Sequence, residues 1–431
     1  MRKLLMGSTA VAAAALFAPG GALAQGADPF QPAGPPMVSH RLLEVRVGGY
    51  FRGYYGYASQ SSQTERDAAG TTRIGNSDFL QETEIHIVAN GKAANGLRYG
   101  AAIELQNDSI NQTLTVAGST GSAASKNTID IDEAWGFIAG PFGQLRFGDE
   151  DNVYGLMAQG HITNFASGGV DGDFYDVLVG AARPNFNMTS DAGDNTKLIY
   201  MSPQFFGFDA GVSFAFNTGE ADREGCVAAS TACDRLSATT GANFRRRNEI
   251  TAMLRWRGSF GGVGLGAHVG YFGADPIKNS TGVSPERINI LLGGVQATAF
   301  GLTVGGHVTY GAARENFFTP RLPDRIGARQ DDRNLLSIAV GASYTIDAIT
   351  VGAQYVNARS AGNQTITTGA RREQGLNVGA TYRIAPGIEA IAEYTYVLRK
   401  ESGFDFISGG TGALNNRIRA DVVLAGFRFA F

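Results

Sequence analysis

From Val423 onward the odd positions, Val423, Ala425, Phe427, Phe429 and Phe431, are apolar, and Gly426 and Arg428 fall between them. A period of two marks a strand with one greasy face and one that tolerates water. The alternation recurs throughout. Val45, Val47, Gly49, Phe51, Gly53, Tyr55 and Tyr57 oppose Arg46, Tyr50, Arg52 and Tyr54, and Thr83, Ile85 and Ile87 oppose Glu82, Glu84 and His86. Leu97, Tyr99, Ala101, Ile103 and Leu105 oppose Arg98, Glu104 and Gln106, and Phe208 to Phe216, Ile250 to Trp256 and Leu376 to Ile384 follow suit. The inward face of these strands reads as polar or small. Only Arg287 to Thr298 leaves its facing undecided, because both parities are apolar. No helical period in the mature chain could cover so many apolar faces, so lipid is the cover that remains. Strands in lipid cannot leave backbone groups unpaired, which requires a closed barrel.

The spacing sets the size of that barrel. Tight turns are expected at Gly140 to Gly143, Ser202 to Gly207, Gly258 to Gly262, Ala299 to Gly301, Asp347 to Ala348 and Ala385 to Gly387. They alternate with longer polar loops, of which Asp149 to Asn195 is the longest. The fold class is therefore all-β, a transmembrane antiparallel β-barrel of about 16 strands in one domain from residue 45 to 431, with both termini on the short-turn side. A barrel of this strand number leaves an aqueous channel.

The first residues read differently. Met1, Arg2 and Lys3 precede an apolar run from Leu4 to Ala18, and Ala22, Leu23 and Ala24 precede Gln25, which is the pattern of a signal peptide cut after Ala24. Residues 25–44 are Pro-rich and form a loosely ordered extension. Glycine accounts for 59 of 431 residues, with 26 Phe and 15 Tyr, which suits close strands, tight turns and aromatic girdles. Mean hydropathy is -0.09, as expected when lipid-facing and water-facing residues cancel. Without Arg2 and Lys3 the 36 basic residues become 34 against 39 acidic, a mature charge of -5 that offers nothing to nucleic acid. Cys226 and Cys233 lie in a polar segment of an exported chain, where a disulfide is the favoured state.

The run Asp132-Glu133-Ala134-Trp135-Gly136-Phe137, followed by Gly140-Pro141-Phe142-Gly143-Gln144-Leu145-Arg146-Phe147-Gly148-Asp149-Glu150-Asp151, resembles the strand, turn and strand before the constriction loop of general bacterial porins, in particular an alphaproteobacterial branch. With the strand count and terminal Phe431, the resemblance covers the mature chain. It implies a homotrimer in the Gram-negative outer membrane, in contact with its lipid and lipopolysaccharide, and a third external loop folded into each channel. It also implies that Phe431 is read by the barrel-assembly machinery. The Pro-Glu-Phe-Gly-Gly loop signature of enterobacterial porins is missing, so the loop tip cannot be carried over residue by residue.

The segment Asp149 to Asn195 carries Asp149, Glu150, Asp151, Asp171, Asp173, Asp176, Asp191 and Asp194 against one basic residue, Arg183. Long segments without elements of their own are usually functional or disordered. Tyr154, Leu156, Met157, Phe165, Phe174, Tyr175 and Leu178 within it would be costly in water and useful against a wall, so the segment is expected to fold inward. Inward parity places Arg46, Arg52, Arg98, Arg146, Lys197, Arg255 and Arg257 on that wall; as rim charges they would pair with Glu82, Glu84 or Glu104, and otherwise they oppose the acidic loop across a waist. A Ca²⁺ among Asp149, Glu150, Asp151, Asp171 and Asp173 is chemically open to hard oxygen ligands, though acidic loops without calcium are commoner. His86, His268 and His307 stand on separate strands and read as pore-lining polar residues, so no metal site or cofactor is expected there.

Passive diffusion of small hydrophilic solutes and ions is the leading expectation. A substrate-selective channel would need an aromatic ladder along the lumen, and Tyr50 and Tyr54 are too few to make one. A barrel lipase or protease would need a nucleophile, a histidine and a carboxylate together, and the five histidines are scattered, so no enzyme is expected.

Overall fold

A computed structural model describes residues 43–61, 64–67, 70–108, 113–114, 123–124, 129–186, 195–217, 246–276, 286–313, 334–363 and 369–431. The expected signal peptide, most of the N-terminal extension, Cys226, Cys233, Asp191 and Asp194 lie outside these residues.

The shortest described strands form three separate two-stranded hairpins, and the other sixteen close into one antiparallel barrel. They are β1 (Leu43–Gln60), β2 (Ser77–Lys92), β3 (Arg98–Asp108), β4 (Asp130–Gly140), β5 (Gly143–Asp149), β6 (Thr196–Met201), β7 (Phe208–Asn217), β8 (Arg246–Phe260), β9 (Val263–Pro276), β10 (Ile288–Ala299), β11 (Leu302–Ala312), β12 (Leu335–Ile346), β13 (Ile349–Ser360), β14 (Arg371–Ala385), β15 (Ile388–Glu401) and β16 (Arg417–Ala430). Each pairs with its sequence neighbours, and β1 meets β16 in a register that sets Phe51 opposite Phe429 and Tyr57 opposite Val423. Closure leaves no free edge, which is what a sheet in hydrocarbon needs. The first residues of β1 and the C-terminal Phe431 both lie at the tight-turn end: Leu43 pairs with Gly91, and Phe431 exchanges hydrogen bonds with Gly49.

Tight turns fall where the glycine and proline punctuation put them. At Phe206-Gly207 and Phe300-Gly301 both residues have positive φ, 50° and 87° in the first pair and 50° and 82° in the second. That is the hand of a two-residue hairpin turn matched to strand twist. Both phenylalanines are more than four-fifths exposed and, with Phe142, Tyr200, Phe260 and Tyr344, ring this end with aromatics. Tyr55, Tyr57, Phe79, Tyr310, Tyr355 and Tyr394 do the same at the other end. Two aromatic girdles flanking an apolar band are the outer surface of a membrane barrel.

Strand facing follows the alternation almost everywhere. The undecided strand, β10, turns Leu291 and Val295 outward and buries Ile288, Ile290 and Leu292 inside. Its interior is apolar because it is covered. Phe272, Met253, Ile199 and Leu335 join these residues in a cluster beneath the short helix α1 (Val153–Met157). The inner face is thus not uniformly polar or small, as the alternation had suggested, since a second protein layer lies against part of it.

Arginine at the mid-bilayer on a lipid-facing position costs about 2–4 kcal/mol. Val295→Arg should therefore lower barrel stability by about that much in urea titrations from lipid vesicles, whereas Thr298→Arg, on the lumen side, should cost less than about 1 kcal/mol.

Candidate functional site

The segment after β5 runs along the inside of the barrel. Asn152 caps α1 by accepting from the Tyr154 backbone N–H at 2.8 Å, and this first turn sets Val153, Tyr154 and Met157 into the apolar inner patch. At Gly211 on β7 an added Cβ would stand 2.5 Å from Met157 Sδ. Wall and helix approach so closely only because that position has no side chain.

Beyond α1, Tyr154 Oη hydrogen-bonds His161 Nε2 at 3.1 Å and His307 Nε2 at 2.9 Å, and the Gln159 backbone N–H donates to His268 Nδ1 at 2.9 Å. The rings of His161 and His307 stack at 4.1 Å and those of His268 and His307 at 5.3 Å. His161 Nδ1, His268 Nε2 and His307 Nδ1 are buried without a hydrogen-bond partner among the described residues, which is tolerable only while the rings are neutral. Burial, with His268 adjacent, holds His161 down to about 3. The same burial raises the Tyr154 hydroxyl well above its usual value.

The chain then steps from strand to strand. Ile162 packs at Gly305 and Gly341, and Phe165 lies over Gly352, where a Cβ would meet its ring at 2.3 Å. The Ala166 N–H donates to Thr381 Oγ1 at 2.9 Å and the Val170 N–H to Gln354 Oε1 at 3.0 Å. Ser167 donates through both its N–H and its hydroxyl to Glu393 Oε2, at 3.0 and 2.8 Å. Burying rings such as Phe165 and Phe174 contributes about 1.5–3 kcal/mol each. A second helical turn, α2 (Phe174–Val177), seats Val177 over Gly56 of β1. The return passes Arg399, which donates to Ala181 O at 2.8 Å, and Glu373, which accepts from the Asn185 N–H at 3.0 Å.

The predicted wall residues divide by environment. Arg52 is 2% exposed, reaches Glu82 at 3.3 Å and Asp173 at 3.2 Å, and lies 4.1 Å from the Tyr50 ring centroid. It combines the rim-pair and the loop-facing roles. Arg146 pairs with Glu150 at 2.8 Å and covers the Trp135 ring at 4.3 Å, and Lys197 Nζ donates to the Glu150 carbonyl. Arg255 and Arg257 converge on Asp209, at 2.6 and 2.9 Å. Arg46 and Arg98 are exposed near the tight-turn end, Arg46 paired with Glu44, away from the loop.

Of the acidic set, Asp149 accepts from Thr196, Glu150 and Asp151 are buried at the wall, Asp173 is held by Arg52, and Asp176 lies in α2. Asp171 differs. Its half-buried carboxylate has no ion pair among the described residues, and desolvation pushes it up to about 6. The carboxylates named for calcium do not converge, since Glu150 and Asp173 are bound by separate guanidinium groups on β5 and β1. Asp209, Glu373, Glu393, Glu401 and Gln354, which the alternation alone does not single out, pair the wall cations or hold the loop. Arg371 with Glu401 at 2.6 Å and Arg399 with Glu373 at 2.7 Å add further wall pairs on β14 and β15. Their signal was the inward parity already used for the basic residues.

A family model described as Gram-negative porin matches residues 9–402. A variant of the Rhodobacter blastica porin is similar in structure, with 15% identity, coverage of 90% of this chain and 100% of that chain, and a TM-score of 0.49. An anion-selective porin from Comamonas acidovorans has 14% identity, the same coverage and a TM-score of 0.53. No curated protein matches the chain.

His161 gains no proton in the docked loop until about pH 3, whereas a released loop would protonate it near 6.5. The docked state therefore loses stability as pH falls from 6.5 toward 3, by about 2 kcal/mol at pH 5. In planar bilayers, closures or subconductance steps should become more frequent at pH 5 than at pH 7, and less so in His161→Gln.

Proposed function

The chain belongs to the Gram-negative porin family and forms an outer-membrane channel, and from that premise we propose that it passes small hydrophilic solutes and ions passively through a waist with a weak preference for cations. The observation that carries this reading is the inward layer formed by residues 150–186, in which Asp171 has no ion pair among the described residues. The wall cations Arg52, Arg146, Arg255 and Arg257 each have a carboxylate partner within 3.3 Å, so they present little free positive charge to a passing anion. Fixed charge at a narrow aqueous passage acts on hydrated solutes at short range. The family and fold are those of non-enzymatic channels.

The anion selectivity printed for the Comamonas porin belongs to that protein; at 14% identity the likeness is one of fold. For this chain, family membership supports a homotrimer with three such passages, assembly through Phe431 and export through a leader removed after Ala24. A gel shift between unheated and heated protein, with crosslinking to a trimer, tests the first of these.

Three outcomes are expected in planar bilayers under a salt gradient. The reversal potential of the wild type has the sign of cation preference at pH 7.5. Asp171→Asn shifts it toward anions, and the triple variant with Asp173→Asn and Asp176→Asn shifts it further. Acidification from pH 7.5 to 5 reproduces the Asp171→Asn shift in the wild type, because protonation through about pH 6 removes the same charge. A reversal potential unmoved by the triple variant would place these residues outside the conducting path.

A further inference from the structure

The inner wall beside the waist carries a group of ligating side chains that single-strand reading left separate. Glu84 and His86 point inward from β2 at positions i and i+2, and Glu104 comes from β3 directly opposite His86 in the strand register. Their ligand atoms all lie within 4.8 Å of one another, the one such His and carboxylate group among the described residues. His86 Nε2 touches Glu84 Oε1, and Nδ1 lies 3.7 Å from Glu104 Oε1. Glu84 and Glu104 also stand within hydrogen-bond reach of each other. Both carboxylates are more than nine-tenths buried.

Two buried carboxylates cannot share this space as anions without a cation or a proton between them. The surroundings make the negative charge larger. Glu82 is next along the strand, Asp132 and Glu150 act on Glu104, and Arg52 is already shared between Glu82 and Asp173. Tyr50 donates to Glu84 Oε2 at 2.5 Å and packs edge-on against the His86 ring at 6.3 Å, an outer layer that fixes a ligand oxygen and an imidazole plane. Ligand atoms bonded at about 2.0–2.2 Å to one ion stand about 3–4 Å apart, a small adjustment from this arrangement. The His86 side chain keeps 17% of its surface exposed, where water can complete the shell.

We propose that Glu84, His86 and Glu104 bind a divalent first-row transition cation, such as Zn²⁺ or Mn²⁺, on the channel wall. One imidazole and two carboxylates suit these ions better than Mg²⁺, which prefers oxygen and water alone. The ion would lie two residues along β2 from Glu82, beside the Arg52 that ties the wall to the loop. Its added positive charge lowers cation conductance through the adjacent waist.

Zn²⁺ binding is measured calorimetrically on the folded protein in detergent, so the result does not depend on whether the channel conducts. One saturable Zn²⁺ per chain is expected, reversed by EDTA, with affinity lower by at least about tenfold in His86→Asn and in Glu104→Gln. A readout on the wild type alone guards against misfolded variants: Zn²⁺ should protect His86 from carbethoxylation by diethyl pyrocarbonate, detected by peptide mass, and an equal concentration of Mg²⁺ should not. Absence of saturable binding, unchanged affinity in both folded variants, or equal protection by Mg²⁺ would each overturn the site.

Discussion

Backbone N–H and C=O groups in hydrocarbon must find partners within the protein, and everything else in this molecule depends on that constraint. It forces the ladder to close, β1 onto β16, and closure makes an inside. Once an inside exists, each strand has a lipid face and a lumen face, and the two-residue period of the side chains becomes a radial sorting rule. The channel follows from the hydrogen-bonding requirement of the membrane and needs no separate design for emptiness.

The interior is then shaped by a second layer. Residues 150–186 would expose Tyr154, Phe165 and Phe174 to water if they left the wall, and the wall has been modified to receive them. Where α1 lies, the lumen face of β9 and β10 becomes apolar through Phe272, Ile288 and Ile290. Where the chain must pass close, the wall offers Gly211, Gly305, Gly352 and Gly379. Where backbone N–H groups need acceptors, Gln354, Thr381 and Glu393 supply them from three strands. Hydrophobic contact gives this layer its attachment, and the polar contacts give it one position.

The barrel was legible in the sequence because strand facing is a local property. Val45 to Tyr57 and Val423 to Phe431 declare their outer faces without reference to any partner. β10 did not, and the reason is physical: Ile288, Ile290 and Leu292 are apolar on the lumen side because α1 covers them, and nothing within the strand records that cover. The loop's inward course could be inferred from its apolar residues, but not its path, since the track is written in wall glycines whose purpose is visible only when Phe165 or Met157 lies over them. The charge pattern was half legible. Inward parity identified Arg52, Arg146, Arg255 and Arg257, and the same parity applied to Asp209, Glu373, Glu393 and Glu401 would have exposed a wall whose charges mostly pair with one another. His86 shares a strand face with Glu84, but their third member, Glu104, is eighteen positions from His86 in sequence and directly across in register, so the group of three is visible only in the fold.

The loop's anchors also fix an order of events. They come from β6 to β9 beneath α1, from β1 through Arg52 and Gly56, and from the strands β10 to β15 at the far end of the chain. In an open sheet β1 and β15 stand at opposite margins, so the part of the loop that touches both cannot be seated there. The seat of the loop is completed only when the first and last strands join. Narrowing of the passage is thus a late step in biogenesis, and a half-assembled ring has no gate to misplace.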